Sequence, residues 1–230
     1  MSPADITSDG DAGPVPATKD AALAAVHPGM KGVVFNILES FVCEGWGDEV
    51  YETILERCPL HTKEPFVGPG TYPDADLVII AKATAHHLGL PLNDALRAFG
   101  AYSFPVLAGS VRELIADLTT PQALLHAVEG VIHVEVRKLY PEAKPPRFVV
   151  RDRPDGTLRL QYYSQRRLCA FLEGLFDGLG EHFDCDVLAT KQACMHDGAD
   201  HCAYDLTIAP RAALSRVPEP AAAVSPELNQ

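Results

Sequence analysis

The chain has 230 residues, 47% of them hydrophobic, enough to bury one substantial core or two small ones sharing an interface. A formal net charge of -12, with no basic run to offset the repulsion, excludes a nucleic-acid backbone as partner. There is neither a basic start leading into an apolar core nor an apolar run of the roughly 18 residues needed to span a bilayer, so the sequence predicts a cytoplasmic protein without membrane contact.

Residues 1–29 are rich in Ala, Pro, Gly and Asp without a sustained apolar period, and read as a flexible leader. The body is predicted over 30–208. Its first helix carries Val34, Ile37, Leu38 and Phe41 on one face, and "DEVYETILERC" continues the period. "DADLVIIAKATAHHLGL" predicts a helix capped by Asp74 or Asp76 and closed near Gly89. Two more helical segments come next, the second from Pro121 to about Tyr140. The period then switches to alternation in "RFVVRDRPDGTLRLQYYS", whose Pro154, Asp155 and Gly156 signal a hairpin. A helix from Arg166 to about Phe183 and the strands "DVLATKQACM" and "CAYDLTI" complete an α+β organisation, helices first and a sheet last. Residues 209–230 are broken by prolines and read as a flexible tail; no internal repeat is visible.

His133 lies in an apolar helical stripe, with Glu129, Ile132, Val134 and Val136 as helical neighbours. A lone histidine there is more often a core residue than a ligand, and spacing alone does not decide. His126, seven residues earlier, falls on nearly the same face of a regular helix and competes with it, whereas His86 and His87 belong to another helix. Downstream, Tyr162, Ser164 and Arg166 form a Y-x-S-x-R pattern. Alternate strand residues share a face, so two hydroxyls and a guanidinium converge on one patch suited to a carboxylate; an ordinary polar strand end is the plainer alternative. Pro145 and Pro146 make a stiff stop that also serves merely to separate helix from strand. In a reducing compartment the six cysteines read as buried thiols, metal ligands or redox switches.

Together these residues resemble the haem-nitric oxide/oxygen binding (H-NOX) family, which includes the sensor domain of soluble guanylate cyclase. The likeness runs from "MKGVVFNILESFV" through "KLYPEAKPPRF" and "YYSQRR" to "HDGADHCAYDL". It implies the H-NOX fold, an N-terminal helical subdomain and a C-terminal subdomain of helix and antiparallel sheet, with haem between them. It further implies His133 as axial iron ligand, Tyr162, Ser164 and Arg166 on the haem propionates, and Pro146 pressing on the porphyrin. His126 lacks the matching spacing to "LYPEAKPPRF". No C-x-x-C-H run occurs, so the expected cofactor is noncovalent haem b.

Oxygen-binding members place a tyrosine over the bound gas, and the matching residue here is Phe171. The other expected distal residues are Val34, Leu38 and Leu107, with Ser103 the one small polar exception. Phe171 serves equally as plain core, but a pocket without a donor favours nitric oxide over oxygen. Some bacterial members bind zinc through cysteines spaced like Cys169, Cys194 and Cys202 plus a histidine; Lys191 stands at that histidine position here. Cys185, His196 and His201 remain as a fourth donor, and a redox-sensitive or simply buried thiol set is the alternative. The expectation is a bacterial stand-alone nitric oxide sensor, not an enzyme. With only a short tail after the domain, its output is expected in trans through a histidine kinase or a cyclic-di-GMP enzyme. A redox or zinc-thiol interaction module with weak or no haem is the alternative.

Overall fold

Glycine and proline set the boundaries of the N-terminal half, and apolar periodicity fills the helices between them. The computed structural model describes residues 29–211; the expected leader over 1–28 and most of the expected tail, 212–230, lie outside the described residues. Strand β1 (Gly29–Lys31) pairs antiparallel with β2 (Thr71–Pro73), two short strands that helical periodicity did not announce. Helix α1 (Gly32–Trp46) buries Phe35, Ile37, Leu38 and Val42, while Val34 and Phe41 are half-buried. The apolar period does not run on unbroken into the next segment. Gly47, at φ 100, ends α1, and α2 (Asp48–Arg57) starts afresh, because only glycine takes that backbone region without strain.

Helix α3 (Asp74–Leu88) ends at Gly89 in the left-handed conformation, as expected, but neither Asp74 nor Asp76 caps it. Pro73 occupies the cap position and the two aspartates turn inward within the first turn. Asp76, fully buried, accepts the backbone N–H groups of His61 and Thr62 at 2.9 Å each and meets the His61 ring at 2.7 Å. Burial would raise its pKa, but these hydrogen bonds outweigh it and hold the carboxyl below its usual range. The carboxylate thus fastens the loop before β2 instead of capping a helix.

Helix α4 (Leu92–Ser110) is followed by the short α5 (Arg112–Ile115). The predicted helix from Pro121 is real but not uniform. It comprises α6 (Pro121–Ala127), capped by the Thr120 hydroxyl, a π-turn over Val128–Ile132, and α7 (His133–Leu139). A π-turn accommodates one extra residue, which changes the phase of the succeeding helix by about 100°. His133 is therefore offset from His126 by roughly a quarter-turn more than a regular helix would give.

Strands β3 (Arg147–Asp152) and β4 (Leu158–Tyr163) form the expected hairpin, with Gly156 at φ 81 in the turn. Helix α8 begins at Cys169, not Arg166, and ends at His182 (Cys169–His182). The delay has a local cause: the Ser164 hydroxyl accepts the Arg166 N–H, and Arg167 sits at φ 53, outside helical space. Strands β5 (Cys185–Ala193) and β6 (Cys202–Pro210) complete a four-stranded antiparallel sheet in the order β3-β4-β6-β5. Ala209 and Pro210 pair with Asp186 and Cys185, so the sheet reaches two residues into the stretch expected to be tail.

Two cores result. The helical one gathers Phe35, Leu38, Ile80 and Phe99; the other packs Leu160, Tyr204 and Leu206 of the sheet against Leu172, Phe176 and Leu179 of α8. Each such side chain, fully buried, contributes about 1.5–3 kcal/mol. Helices α4 and α8 carry residues of both cores, which joins the halves into an α+β body. Among the described residues no helix is long and apolar enough to cross a membrane.

Candidate functional site

The alternation of β4 puts Leu158, Leu160 and Tyr162 on the core face, and antiparallel register places Tyr162 between Phe148 of β3 and Cys202 of β6. The Phe148 ring lies 5.5 Å from that of Tyr162 on one side and 5.6 Å from the His133 imidazole on the other. Sheet pairing thereby brings together the histidine and the tyrosine, 29 residues apart in sequence. His126, by contrast, projects outward and meets Asp152 at 3.2 Å, while His86 and His87 lie on α3, away from this group.

The His133 side chain is 13% exposed, and its Nδ1 is 3.1 Å from Glu129 Oε2. Burial lowers its pKa and the carboxylate opposes the shift without reversing it, so the imidazole is neutral. Glu129 itself is kept below its usual range: His133, the Phe148 N–H and Arg137 together outweigh its own burial. A neutral ring donating from Nδ1 to an ionised carboxylate leaves the lone pair on Nε2 for a metal. Glu129 was visible in the sequence only as the helical neighbour of His133; its function depends on a strand that the sequence does not set beside it.

Tyr162 and Ser164 contact each other through their hydroxyls, and burial raises the tyrosine pKa, so its OH is retained as a donor. Arg166, its side chain 9% exposed, turns across the body: its terminal nitrogens donate to the carbonyls of Lys144 and Gly29, and Nε lies 3.5 Å from Asp74. That Nε is buried and has no hydrogen-bond partner. Pro146, Ser164 and Arg166, with Lys144, Arg147 and Arg167, line a groove of about 620 Å³. The Arg166 guanidinium, beside Asp74 but without a hydrogen bond at Nε, and the Ser164 hydroxyl suit a carboxylate-bearing ligand in a groove rich in cations; Tyr162 and His133 do not line that groove, and the Nε2 lone pair of His133 suits a metal. The residues present fit a metal-centred group with carboxylate arms.

The five expected distal residues meet unevenly. Val34, Leu38, Leu107 and Phe171 belong to the helical core, where Phe171 packs on Phe99 with ring centroids 5.0 Å apart. Ser103 is fully buried, but its hydroxyl donates to the Phe99 carbonyl at 2.7 Å within its own helix. These residues are thus packed in or beside the helical core, apolar in chemistry as well as composition.

Cys202, paired with Tyr162 across the sheet, meets Cys169 at the start of α8 and Cys194 just after β5, and the three buried sulfurs lie within 4.8 Å of one another. Burial and the neighbouring thiols raise the pKa of Cys169, which favours the protonated form. None of the three expected fourth donors joins this group. His196 is turned to the Arg167 carbonyl, and His201 stacks on Tyr163 and meets Gln161 at 2.9 Å. Lys191 pairs with Glu173 at 2.6 Å, and the same carboxylate accepts the Tyr204 hydroxyl.

A helical body and a sheet body that together present a neutral histidine and a carboxylate-binding patch define a cofactor-binding α+β domain. The Haem-NO-binding family model matches residues 31–191, and the chain belongs to that family, known as H-NOX. An H-NOX protein from Shewanella oneidensis in the Fe(II)NO ligation state is 33% identical, with 78% of this chain and 99% of that chain covered at a TM-score of 0.73. The Fe(II) unliganded H-NOX protein from K. algicida is 27% identical over 78% of this chain and 96% of its own, with a TM-score of 0.71. The IWP-051-bound H-NOX from Shewanella woodyi in the Fe(II)CO state is 30% identical over 81% and 98%, with a TM-score of 0.69.

Proposed function

We propose that this chain is a bacterial, cytoplasmic haem-based sensor of nitric oxide, with His133 as the iron ligand and Tyr162, Ser164 and Arg166 as the propionate anchor. The observation that carries the reading is the His133 imidazole: neutral, largely shielded from solvent, committed at Nδ1 and open at Nε2, in a chain of the Haem-NO-binding family. Haem, when bound, supplies an iron with a position for a diatomic gas. Arg166 gives the propionates a charge-assisted donor, Tyr162 and Ser164 add hydroxyls, and Pro146 forms a rigid wall for the macrocycle.

The apolar set Val34, Leu38, Leu107 and Phe171, with the Ser103 hydroxyl already spent on a backbone carbonyl, offers bound oxygen no hydrogen bond. Nitric oxide binds ferrous iron without one, which is why we assign it as the ligand. The role is sensing and not catalysis, with output through a histidine kinase or a cyclic-di-GMP enzyme acting as partner. The test is an absorption spectrum of the reduced protein with and without nitric oxide, together with haem content in two variants. A Soret band that shifts with the gas and disappears in His133→Ala but not in His126→Ala is the expected result. Equal haem retention in both variants overturns the ligand assignment.

The thiol group invites a second reading, zinc on Cys169, Cys194 and Cys202, favoured by their converging sulfurs. Three ligands and a lysine held by Glu173 make a poor tetrahedral site, so we assign three buried thiols instead. Elemental analysis of protein purified under reducing conditions decides: about one zinc per chain, lost in Cys194→Ser, reinstates the metal.

A further inference from the structure

We propose that Glu129 is the positioning residue for the axial histidine, a carboxylate that fixes the imidazole from behind and sets the strength of the bond His133 makes to iron. The inference rests on the reading of His133 as ligand. Glu129 lies in the π-turn about one helical turn before His133, and its Oε2 is 3.1 Å from His133 Nδ1. The same Oε2 accepts the backbone N–H of Phe148 at 3.1 Å, while Oε1 takes Arg137 Nη2. One carboxylate thus joins the histidine, the strand on which the histidine ring packs, and the helix that carries it.

Three consequences arise from general chemistry. A carboxylate accepting from Nδ1 fixes the tautomer with the lone pair on Nε2. It also makes that nitrogen more basic, since partial negative charge is passed into the ring, and a more basic imidazole is a stronger donor to a metal. The bond to the Phe148 N–H fixes the carboxylate to the edge strand β3, so the ring orientation is set by the sheet as well as by its own helix. Arg137 competes for the negative charge and moderates the effect. The pair is four residues apart, a spacing that sets side chains beside one another on a helix, and the π-turn in which Glu129 lies is of a kind frequent at functional positions.

The test uses the full chain loaded with haem and reduced, read by the iron–histidine stretching band in resonance Raman and by the reduction potential from spectroelectrochemistry. Glu129→Gln keeps the size and removes the charge; the band is expected to move to lower frequency and the potential to rise, because a weaker donor stabilises ferric iron less. Arg137→Leu, at a side chain that is 40% exposed, leaves the carboxylate less neutralised, and both readouts are expected to move the opposite way. Opposed shifts support the proposal, whereas an unchanged band in both variants, or shifts of one sign, overturns it. A wild-type protein that holds haem but has no iron–histidine band marks the failure of the ligand assignment itself, a result distinct from either variant's.

Discussion

Helices α4 and α8 and the element carrying His133 are held to the rest of the molecule by opposite means. In the α4–α8 crossing, a Cβ on Gly100 would run into the Phe171 carbonyl and one on Gly174 into the Arg97 carbonyl, so the backbones touch. Phe99 and Phe104 on one side and Leu172, Phe176 and Leu179 on the other seal it with buried side chains. Between Val128 and Leu139, by contrast, no residue is buried, and Val131, Val134 and Leu139 are exposed. That segment is tied down by Glu129, by the ring contact with Phe148 and by the half-buried Val128 and Ile132, which pack against the sheet core. Close packing makes a seam that can only move as a body, while a lightly packed segment held by polar contacts opens at low free-energy cost. The difference separates a tightly packed frame from a lightly packed segment.

The largest blow to this contrast is Gly174→Val, which forces two backbones apart. We expect a loss of about 3 kcal/mol, within the range for overpacking, read as a melting temperature lower by roughly 6–12 °C. A melting curve unchanged from wild type would mean that the seam has slack.

Next comes Asp76→Asn, expected to cost about 2 kcal/mol at neutral pH by weakening three hydrogen bonds that hold the loop before β2. The Asp76 pKa is lower folded than unfolded, so its contribution is complete above the unfolded value of about 3.9 and is lost as pH falls through the folded one. Denaturant melts of both proteins from pH 7 down to about 2 should therefore converge at the acid end. A difference that stays constant with pH would show that charge is not involved.

A smaller effect is expected at the propionate anchor. Arg166→Ala should speed haem transfer to an apo-globin acceptor about tenfold, ~1.4 kcal/mol, and more than Ser164→Ala does, since only the arginine supplies a charged donor. Equal rates for the two would count against Arg166. Least of all, Val134→Ser on the lightly packed side should change stability by under about 0.5 kcal/mol, because the side chain is 37% exposed. A larger loss there, measured by the same melts, would show that the ligand helix is better anchored than its packing indicates.

The order of helices and strands was legible in the sequence because apolar period and turn chemistry are local. The helix from Val34 to Phe41, the Gly89 ending and the hairpin at Pro154, Asp155 and Gly156 all lie where those signals put them. His133 and the Y-x-S-x-R residues were recognisable by family spacing, and sheet register brings two of them, His133 and Tyr162, to the same aromatic, Phe148. Three features were not legible. The cap expected from Asp74 or Asp76 is absent because Pro73 takes that position and the buried Asp76 carboxylate accepts the N–H groups of His61 and Thr62 instead. The start of α8 was placed three residues early because the Ser164 hydroxyl takes the Arg166 N–H and Arg167 lies outside helical space, neither of which the residue types announce. The π-turn was missed because nothing in "VEGVI" marks it.

The sequence by itself determined the long helices and the strands of the four-stranded sheet and singled out the candidate site residues, since these depend on local period and spacing, while the short β1–β2 pair and the π-turn escaped it. Only the tertiary structure decided how those residues are used: which histidine faces inward, which carboxylate backs it, and whether three cysteines find a fourth partner. Those outcomes turn on phase and register between segments far apart in the chain. A single extra residue in a helical turn rotates His133 by roughly a quarter-turn relative to His126, and a strand pairing then puts Phe148 and its N–H where Glu129 can reach them.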